Sequence, residues 1–385
     1  MWIRWAVMQE PEHSNPFVNP LKIGHLTVPN RVLLSPLAGV SDAPFRRICQ
    51  EMGAGLTYVE MLSAIALKAK VKRDAPRMMR HPDEPRLGVQ LTGPTAESVA
   101  DGVAILDAMP YDAIDINMGC PVRKIISGGS GCAILRDPER VSRTIALALA
   151  RTTKPLSAKI RLGFDGESRN APEIVRRLAG GGVAMIIIHG RTRTDHYGIP
   201  ADLAAIAEAV AVARAEGRPE LVVVGNGDVF DPVSAHRMRV ATGCDAVLVS
   251  RGALGNPWVF RHTLDPSTVH PRPGEWREVL MRHLEYHCAH YGDESLAVRT
   301  FRKHLLWYAK GFPYMRRARE ALSTVMDVRA IVDILGRGMA EMDPDIRRYA
   351  TEQHAAGGHH HTGDFDPKFD MDRDADRAVA NDAHG

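Results

Sequence analysis

The chain has 385 residues, of which 45% are hydrophobic and 25% are charged. This composition indicates a soluble chain long enough for one large domain and a smaller one, and it excludes a peptide scaffold and a fibre. The net charge is +3, but residues 351–385 hold eight acidic and three basic residues, so −5 belongs to that tail and +8 to residues 1–350. A basic body is expected of a protein that meets a polyanion, although many bodies this basic bind nothing.

The five cysteines are an odd number and include no CxxC pair and no disulfide-framework spacing. This usage indicates a reducing compartment. The first residues lack the apolar core of a signal peptide, and no run reaches the roughly 18 apolar residues that a membrane span needs. We therefore expect a cytoplasmic protein that does not enter a membrane.

Eight short apolar runs, each bounded by Gly, Pro or Asp, leave room for one helix between neighbours: 32–34, 56–58, 87–91, 113–116, 156–160, 184–188, 221–225 and 246–249. An Ala-rich stretch at 203–214, behind a possible Asp202 cap, is typical of the intervening helices. Continuous apolar strands that alternate with helices indicate a buried parallel sheet. The pattern predicts an α/β fold, a (β/α)8 TIM barrel of about 250 residues. An open doubly wound sheet is the alternative, which strand counting alone does not exclude.

The pattern changes after residue 257 to helices without intervening strands. Apolar residues spaced by three and four predict helices over 275–291, 294–310, 313–325 and 327–342, which would form a small bundle. We divide the chain into an N-terminal extension (1–16), the barrel (17–257), the helical domain (258–349) and an acidic tail (350–385) that we expect to be disordered. We assign no role to the three histidines at 359–361 in that tail, and we predict no metal site.

Active sites of such barrels lie at the carboxyl ends of the strands, and polar residues follow nearly every predicted strand. They are found in the segments 35–39, 90–92, 117–121, 159–161, 189–193, 226–228 and 250–252. Glycines at 225, 227 and 252 beside Arg251 could hold a phosphate through backbone amides and a forked guanidinium. Two glycine turns and a surface arginine are the simpler interpretation. The glycines at 128–131 miss the dinucleotide spacing, so we predict no Rossmann domain.

Lys159 and Cys120 are the two most informative side chains. A lysine inside an apolar strand must meet a ligand or an acid partner. It could form a Schiff base, neutralise an anionic ring, or make a buried salt bridge to Glu60 or Asp115. Cys120 should face the mouth of the barrel, where a thiol with an ordinary pKa of about 8.5 can donate a proton as well as attack. A small buried apolar residue is the commoner fate of a cysteine, and we expect it for the other four.

Six segments together resemble the tRNA-dihydrouridine synthases, most closely their bacterial B-type branch. They are 30–42 (NRVLLSPLAGVSD), 89–93 (VQLTG), 115–121 (DINMGCP), 158–161 (AKIR), 189–192 (HGRT) and 225–228 (GNGD). The resemblance spans about residues 17–345, and the NMGCP stretch is its most specific part. It implies an FMN-dependent barrel with a C-terminal helical domain that binds tRNA. Such an enzyme reduces the C5–C6 double bond of particular tRNA uridines with NADPH as the electron source.

The resemblance also implies roles for individual residues. Cys120 would give a proton to C5, while N5 of the reduced flavin gives a hydride to C6, and Asn117, His189 and Arg191 would contact the substrate side. The implied flavin residues are Pro36, Leu37, Ala38, Gln90, Lys159, Asn226, Gly227, Asp228, Ser250 and Arg251. Leu37 departs from the methionine usual in the family, a volume-conserving exchange that should change little.

A nucleobase within folded tRNA reaches such a site only when it is extruded, so basic groups should surround the mouth. The candidates are Lys68, Lys70, Lys72, Arg73, Arg77, Arg80, Arg123, Lys124, Arg299, Arg302, Lys303, Arg316 and Arg317. Any one of them could equally be a solvated surface charge. We expect tRNA as the partner and no obligatory partner protein. Two alternatives remain open: an FMN barrel oxidoreductase of a small enone or pyrimidine, and a non-catalytic RNA-binding barrel.

Overall fold

The computed structural model describes residues 15–69, 78–312 and 314–349, without the side chains of residues 316 and 317. Most of the predicted N-terminal extension and all of the acidic tail lie outside the described residues. The same holds for four of the candidate tRNA-binding cations, namely Lys70, Lys72, Arg73 and Arg77.

Eight parallel strands form the central barrel, preceded by a short antiparallel hairpin. The hairpin strands are β1 (Leu21–Ile23) and β2 (Leu26–Val28), and the barrel strands are β3 (Val32–Leu34), β4 (Thr57–Ser63), β5 (Leu87–Thr92), β6 (Ala113–Met118), β7 (Leu156–Arg161), β8 (Met185–His189), β9 (Val222–Asn226) and β10 (Ala246–Val249). The hydrogen-bonded order is β3-β10-β9-β8-β7-β6-β5-β4.

The two end strands of that order, β3 and β4, also meet. The Leu34 amide donates to the Leu56 carbonyl at 2.9 Å, and the Gly55 amide donates to the Val32 carbonyl at 2.9 Å. These bonds bring the ends of the sheet together, as in a barrel and not in an open sheet. The predicted (β/α)8 barrel is therefore confirmed.

Helices follow the strands on the outside of the barrel and then continue without strands. They are α1 (Ala43–Glu51), α2 (Ala64–Lys68), α3 (Ala96–Asp107), α4 (Arg123–Ser127), α5 (Pro138–Leu149), α6 (Ala171–Gly181), α7 (Leu203–Ala215), α8 (Pro232–Thr242), α9 (Trp258–Leu264), α10 (Pro273–Tyr291), α11 (Glu294–Tyr308), α12 (Met315–Thr324) and α13 (Val328–Ala340). Side-chain caps fix several starts, among them Asp42 before α1 and Asp202 before α7. Helix α10 begins two residues before its predicted start because Pro273 suits a first helical turn.

Side chains alternate between the two faces of each barrel strand, and this alternation decides which residues reach the interior. On β6, the side chains of Ile114 and Ile116 pack in the core between the strands and the helices. Asp115 and Asn117 alternate with them and therefore point to the opposite face, the barrel interior. Inside the barrel, a separate apolar cluster includes Leu33, Tyr58, Ile187, Val224 and Leu248.

The β1-β2 hairpin closes the amino end of the barrel. Its side chains Leu21, Ile23 and Val28 join the interior cluster, and Gly24 packs against Pro155, directly before β7. The sequence analysis did not identify the hairpin, whose short strands LKI and LTV mix apolar and polar residues and lack the continuous apolar run of 32–34. An apolar plug therefore fills one end of the barrel and leaves the other end for polar side chains.

The C-terminal helices pack on the barrel through α1. Tyr286 donates to Glu51 at 2.8 Å, and Arg282 forms an ion pair with the same carboxylate at 3.2 Å. Trp276 and Phe301 lie in the shared core, where the Trp276 indole donates to the Tyr308 carbonyl at 2.9 Å. No helix in the described ranges is long and apolar enough to cross a bilayer.

Candidate active site

A cavity opens at the carboxyl ends of the barrel strands, and all fourteen residues proposed for the site from sequence line it. They are Pro36, Leu37, Ala38, Gln90, Asn117, Cys120, Lys159, His189, Arg191, Asn226, Gly227, Asp228, Ser250 and Arg251. They come from the ends of seven strands, because parallel strands of a barrel all finish on one side. Of the other cysteines, Cys49, Cys132 and Cys244 are buried as expected, while Cys288 is half-buried.

Cys120 lies in the loop after β6, with a half-buried side chain at the cavity. Asn117 Oδ1 accepts hydrogen bonds from the backbone amides of Gly119 at 3.0 Å and of Cys120 at 2.8 Å. Arg161 Nε on the neighbouring strand donates to the Gly119 carbonyl at 3.0 Å. The thiol therefore stands on a loop whose backbone is fixed by two side chains from adjacent strands.

A chain of hydrogen bonds runs from Asn117 into the barrel interior. Asn117 Nδ2 donates to Gln90 Oε1 at 2.8 Å, and Gln90 Nε2 donates to Asp115 Oδ2 at 2.7 Å. Ser157 Oγ donates to the other carboxylate oxygen at 2.6 Å. Burial raises the pKa of Asp115 to about 6 against these hydrogen bonds. The buried carboxylate thus sets the orientation of the Gln90 amide, and Gln90 sets that of Asn117.

Lys159 on β7 contacts an amide. Its Nζ donates to Asn226 Oδ1 at 2.8 Å, and Asn226 Nδ2 donates to the Leu248 carbonyl at 2.9 Å and to Ser250 Oγ at 3.0 Å. Burial, followed by the charge of Arg161, lowers the pKa of Lys159 to about 8, whereas Asp115 acts in the opposite direction. Lys159 is therefore mostly a cation at neutral pH, and Asn226 holds it in place.

The turns after β9 and β10 present backbone amides to the cavity. Gly227, Arg251 and Gly252 line the cavity at these turns, and Arg251 and Gly252 begin a short 3-10 helix. A Cβ at Gly252 would lie 2.2 Å from the Val229 carbonyl oxygen, and Gly227 has a φ of +118°, so both positions require glycine. Glycine turns and the start of a helical turn beside the Arg251 guanidinium form a site suited to an anion.

Asp228 connects the two arginines of the site. Its carboxylate contacts Arg191 Nη2 at 2.6 Å and Arg251 Nη2 at 3.0 Å, and it accepts the Ala201 amide at 2.9 Å. Arg191 is only 1% exposed, and its Nε also donates to the Ile199 carbonyl at 2.7 Å. This geometry favours a role for Arg191 in fixing Asp228 and the neighbouring loop.

His189 is neutral at physiological pH. Burial, reinforced by nearby cations of which Arg161 and Lys159 have the largest effect, lowers its pKa well below the ordinary value. Arg191 Nη1 lies 3.2 Å from His189 Nε2, and a guanidinium can only donate. Nε2 therefore accepts, and the ring proton belongs on Nδ1.

The cavity also contains residues that the sequence analysis missed, including Met61, Tyr197 and Phe230. The guanidinium carbon of Arg251 lies 4.0 Å from the centre of the Tyr197 ring and 5.5 Å from that of Phe230. These contacts stabilise the cation over aromatic faces. Tyr197 belongs to an irregular loop with no periodic pattern, so its proximity to Arg251 depends on the tertiary fold.

The structure separates the candidate tRNA-binding cations. Arg123 and Lys124 are exposed on α4, three and four residues after Cys120, and Lys303 on α11 donates to the carbonyl of Gly39 at the cavity mouth. Arg299 is exposed on α11. The prediction that Arg80 lies at the mouth of the barrel is wrong. Arg80 forms an ion pair at 3.0 Å with Asp112, the residue directly before β6, and therefore lies at the amino end of the barrel.

Two further candidate cations are engaged within the protein. Lys68 forms an ion pair with Asp101 at 2.7 Å, and Arg302 donates to the Val325 carbonyl at 2.8 Å. The side chains of Arg316 and Arg317 lie outside the described residues. The cations that remain closest to the site in sequence or in contact are therefore those of α4 and α11.

Comparison with known proteins agrees with this arrangement. Residues 33–336 match the family model described as dihydrouridine synthase. The tRNA-dihydrouridine synthase B of Xanthomonas axonopodis pv. citri is 36% identical over 298 residues, which cover 76% of this chain and 88% of that protein. A probable tRNA-dihydrouridine synthase of Rhodobacter capsulatus is 38% identical over 312 residues, 78% of this chain and 94% of that protein.

A solved structure of histamine dehydrogenase from Rhizobium sp. 4-9 superposes with a TM-score of 0.54 at 12% identity. The match covers 86% of this chain but only 65% of that one, less than two thirds of its length, and it bears on the barrel fold alone. The two curated relatives and the family model span both the barrel and most of the helical domain. The resemblance inferred from the motifs is thereby confirmed, and the chain belongs to the dihydrouridine synthase family.

Proposed function

We propose that this protein reduces the C5–C6 double bond of uridines in tRNA, with FMN as its bound cofactor and NADPH as the electron donor. The observation that carries the proposal is the convergence of Cys120, Lys159 and the turns of Gly227 and Arg251 on one cavity. A proton donor, a cation and an anion-binding turn are the three groups that reduction of an enone by a phosphorylated flavin needs.

Residues at both ends of the cavity support FMN as the cofactor. The backbone of Gly227, Arg251 and Gly252 at the cavity wall, with the Arg251 guanidinium, would hold the phosphate. Lys159 and Gln90 lie on the strands that form the barrel mouth and would face the ring, where the lysine cation offsets the negative charge of reduced flavin. The apolar segment Pro36 to Ala38 would pack against the ring system.

Cys120 would supply the proton. C6 of uracil is conjugated to the C4 carbonyl, so it accepts a nucleophile while C5 becomes basic. The hydride that C6 accepts would come from reduced FMN when it is bound. The Cys120 thiol would donate its proton to C5, so that the double bond becomes a single bond and the thiolate regains a proton from solvent. Asn117 would act through Cys120, because it holds the backbone of that loop.

The tRNA would approach over the cations of α4 and α11. Arg123 and Lys124 follow Cys120 directly, and Lys303 joins the helical domain to the mouth through Gly39. Phosphates bound there would position the molecule, while one uridine leaves its stack to enter the cavity.

The test is a comparison of two acceptors with the full chain loaded with FMN. Unmodified tRNA or free uracil is mixed with the NADPH-reduced protein, and dihydrouracil and dihydrouridine are measured by mass spectrometry. We expect tRNA to react at least about 100-fold faster, since binding energy from the rest of a large substrate assists the reacting group. Equal rates would favour a small-molecule reductase, and a chain that takes up no FMN would favour a non-catalytic barrel.

A further inference from the structure

A cluster of ionisable side chains lies away from the cavity, where the helical domain meets the barrel. Asp42, in the loop before α1, contributes a carboxylate oxygen, and His283 and His287 on α10 each contribute a ring nitrogen. These three atoms lie within 4.8 Å of one another. All three side chains are buried, and the two histidines are 0% exposed.

Several ring nitrogens of this cluster have no hydrogen-bond partner. They include His283 Nε2 and both nitrogens of the neighbouring His304, which is also 0% exposed, whereas His287 Nδ1 contacts the Asp42 carboxylate. Buried polar atoms in folded proteins almost always have a partner, so orphaned nitrogens point to a water molecule or an ion. Three such nitrogens lie on two neighbouring rings of this cluster.

The remaining contacts hold the rings in place for a ligand. His287 Nε2 lies 2.8 Å from Thr300 Oγ1, and His283 Nδ1 lies 3.3 Å from the Tyr308 hydroxyl. Metal-bound histidines characteristically use their second nitrogen in such a contact.

We propose that Asp42, His283 and His287 bind one divalent transition-metal ion, zinc, between the barrel and the helical domain. Two imidazoles and one carboxylate are a ligand set that zinc accepts, with a fourth ligand completing a tetrahedron. Tetrahedral ligand atoms about 2.0–2.1 Å from zinc lie roughly 3.4 Å apart, and Asp42 Oδ2 lies 3.3 Å from His287 Nδ1. Sequence alone did not suggest this site, because Asp42 is some 240 residues from the histidines.

The ion would connect the active-site loop to the helices. Asp42 Oδ1 accepts the Phe45 amide and caps α1, while one residue earlier Ser41 Oγ accepts the amide of Leu37, a residue of the cavity wall. The metal would therefore fix the loop that lines the flavin side of the cavity relative to α10. Lys303, whose ammonium donates to the Gly39 carbonyl three residues before Asp42, opposes a second cation and should limit the affinity.

The experiment measures metal content in the full, untagged chain. The tail histidines at 359–361 are replaced by alanine in every sample, so that they add no metal. After growth with added zinc, we expect about one zinc per chain by plasma mass spectrometry, and removal by a chelator should lower Tm by about 5 °C. Titration of the metal-free chain with cobalt(II) should produce the visible absorption of a four-coordinate site.

Asp42→Asn and His287→Gln keep side-chain volume and should each lose at least about nine tenths of the zinc. His290→Gln, on the same helix but outside the three-ligand cluster, is the matched control and should retain it. A parent chain that holds no zinc and shows no cobalt absorption overturns the proposal, even if the variants fail to fold. Zinc content does not depend on flavin or on dihydrouridine formation, so this result is separate from the test of the proposed function.

Discussion

The two ends of the barrel are made by the same eight strands and differ in what fills them. The amino end contains apolar side chains such as Leu33 and Ile187, sealed by the β1-β2 hairpin. The carboxyl end contains the polar side chains Asp115 and Asn117 on β6 and Lys159 on β7. The apolar layer near the amino end stabilises the fold, and the polar layer near the carboxyl end can carry the chemistry. The two roles can be separated because the side chains of each layer pack mainly against one another.

The largest effect that separates the two layers should come from Cys120→Ala. We expect dihydrouridine formation to fall by about 10²–10⁴-fold, the usual loss when a positioned proton donor is removed. Flavin retention and its reduction by NADPH should be unchanged, since Cys120 lies on a loop held by other side chains. Cys288→Ala in the helical domain is the matched control. Wild-type turnover in Cys120→Ala would remove the proton-donor assignment.

Ile187→Ala should have the opposite profile at the amino end. Ile187 is 0% exposed in the interior cluster, and truncation of such a side chain typically costs about 2–5 kcal/mol of unfolding free energy. Urea titration measures that loss, and activity per folded molecule should remain near that of the parent. A large fall in activity with unchanged stability would mean that the two layers are not separate.

Lys159→Met tests the cation at the carboxyl end. The exchange keeps most of the apolar stem but removes a charge, and a hydrogen bond to a charged group contributes about 1.5–3 kcal/mol. We therefore expect the Kd for FMN to rise by about 10–150-fold in equilibrium dialysis, with Lys159→Arg closer to the parent. Because the pKa of Lys159 is lowered to about 8, flavin affinity of the parent should also weaken as pH rises through 8. Equal affinity at pH 7 and pH 9 would contradict a contact with this cation.

The smallest effect concerns Asp115, whose carboxylate lies beneath Gln90. Its pKa is raised to about 6, so between about pH 4 and 6 the folded state binds more protons than the unfolded state and stability falls as pH rises. Asp115→Asn removes this titration while keeping partners for Gln90 and Ser157. The unfolding free energy of the variant relative to the parent should increase by about 1–3 kcal/mol from pH 4 to pH 7. A constant difference across that range would show that Asp115 has an ordinary pKa in the folded state.

Much of the site could be predicted, because strands and the residues that follow them are recognised from short stretches of sequence. Lys159 in an apolar run and Cys120 between Gly119 and Pro121 were recognisable without a structure, and the family motifs supplied the rest. Arg80 was misplaced because its nearness in sequence to β4 and β5 does not say at which end of the barrel it lies. Its partner Asp112 precedes β6, and that pairing fixes it at the amino end.

The eight strands, the helices after them and the polar residues at the carboxyl end of each strand could be predicted from the sequence, because they follow from patterns within about ten neighbouring residues. The hydrogen-bond partners of those polar side chains are visible only in the folded chain. The side-chain oxygen of Asn117 accepts the Cys120 amide, and that of Asn226 accepts the Lys159 ammonium. Asp42 contacts His287 where the barrel packs against the helical domain. Such partners lie tens to hundreds of residues apart, and hydrogen bonds form over about 3 Å of space regardless of distance along the chain.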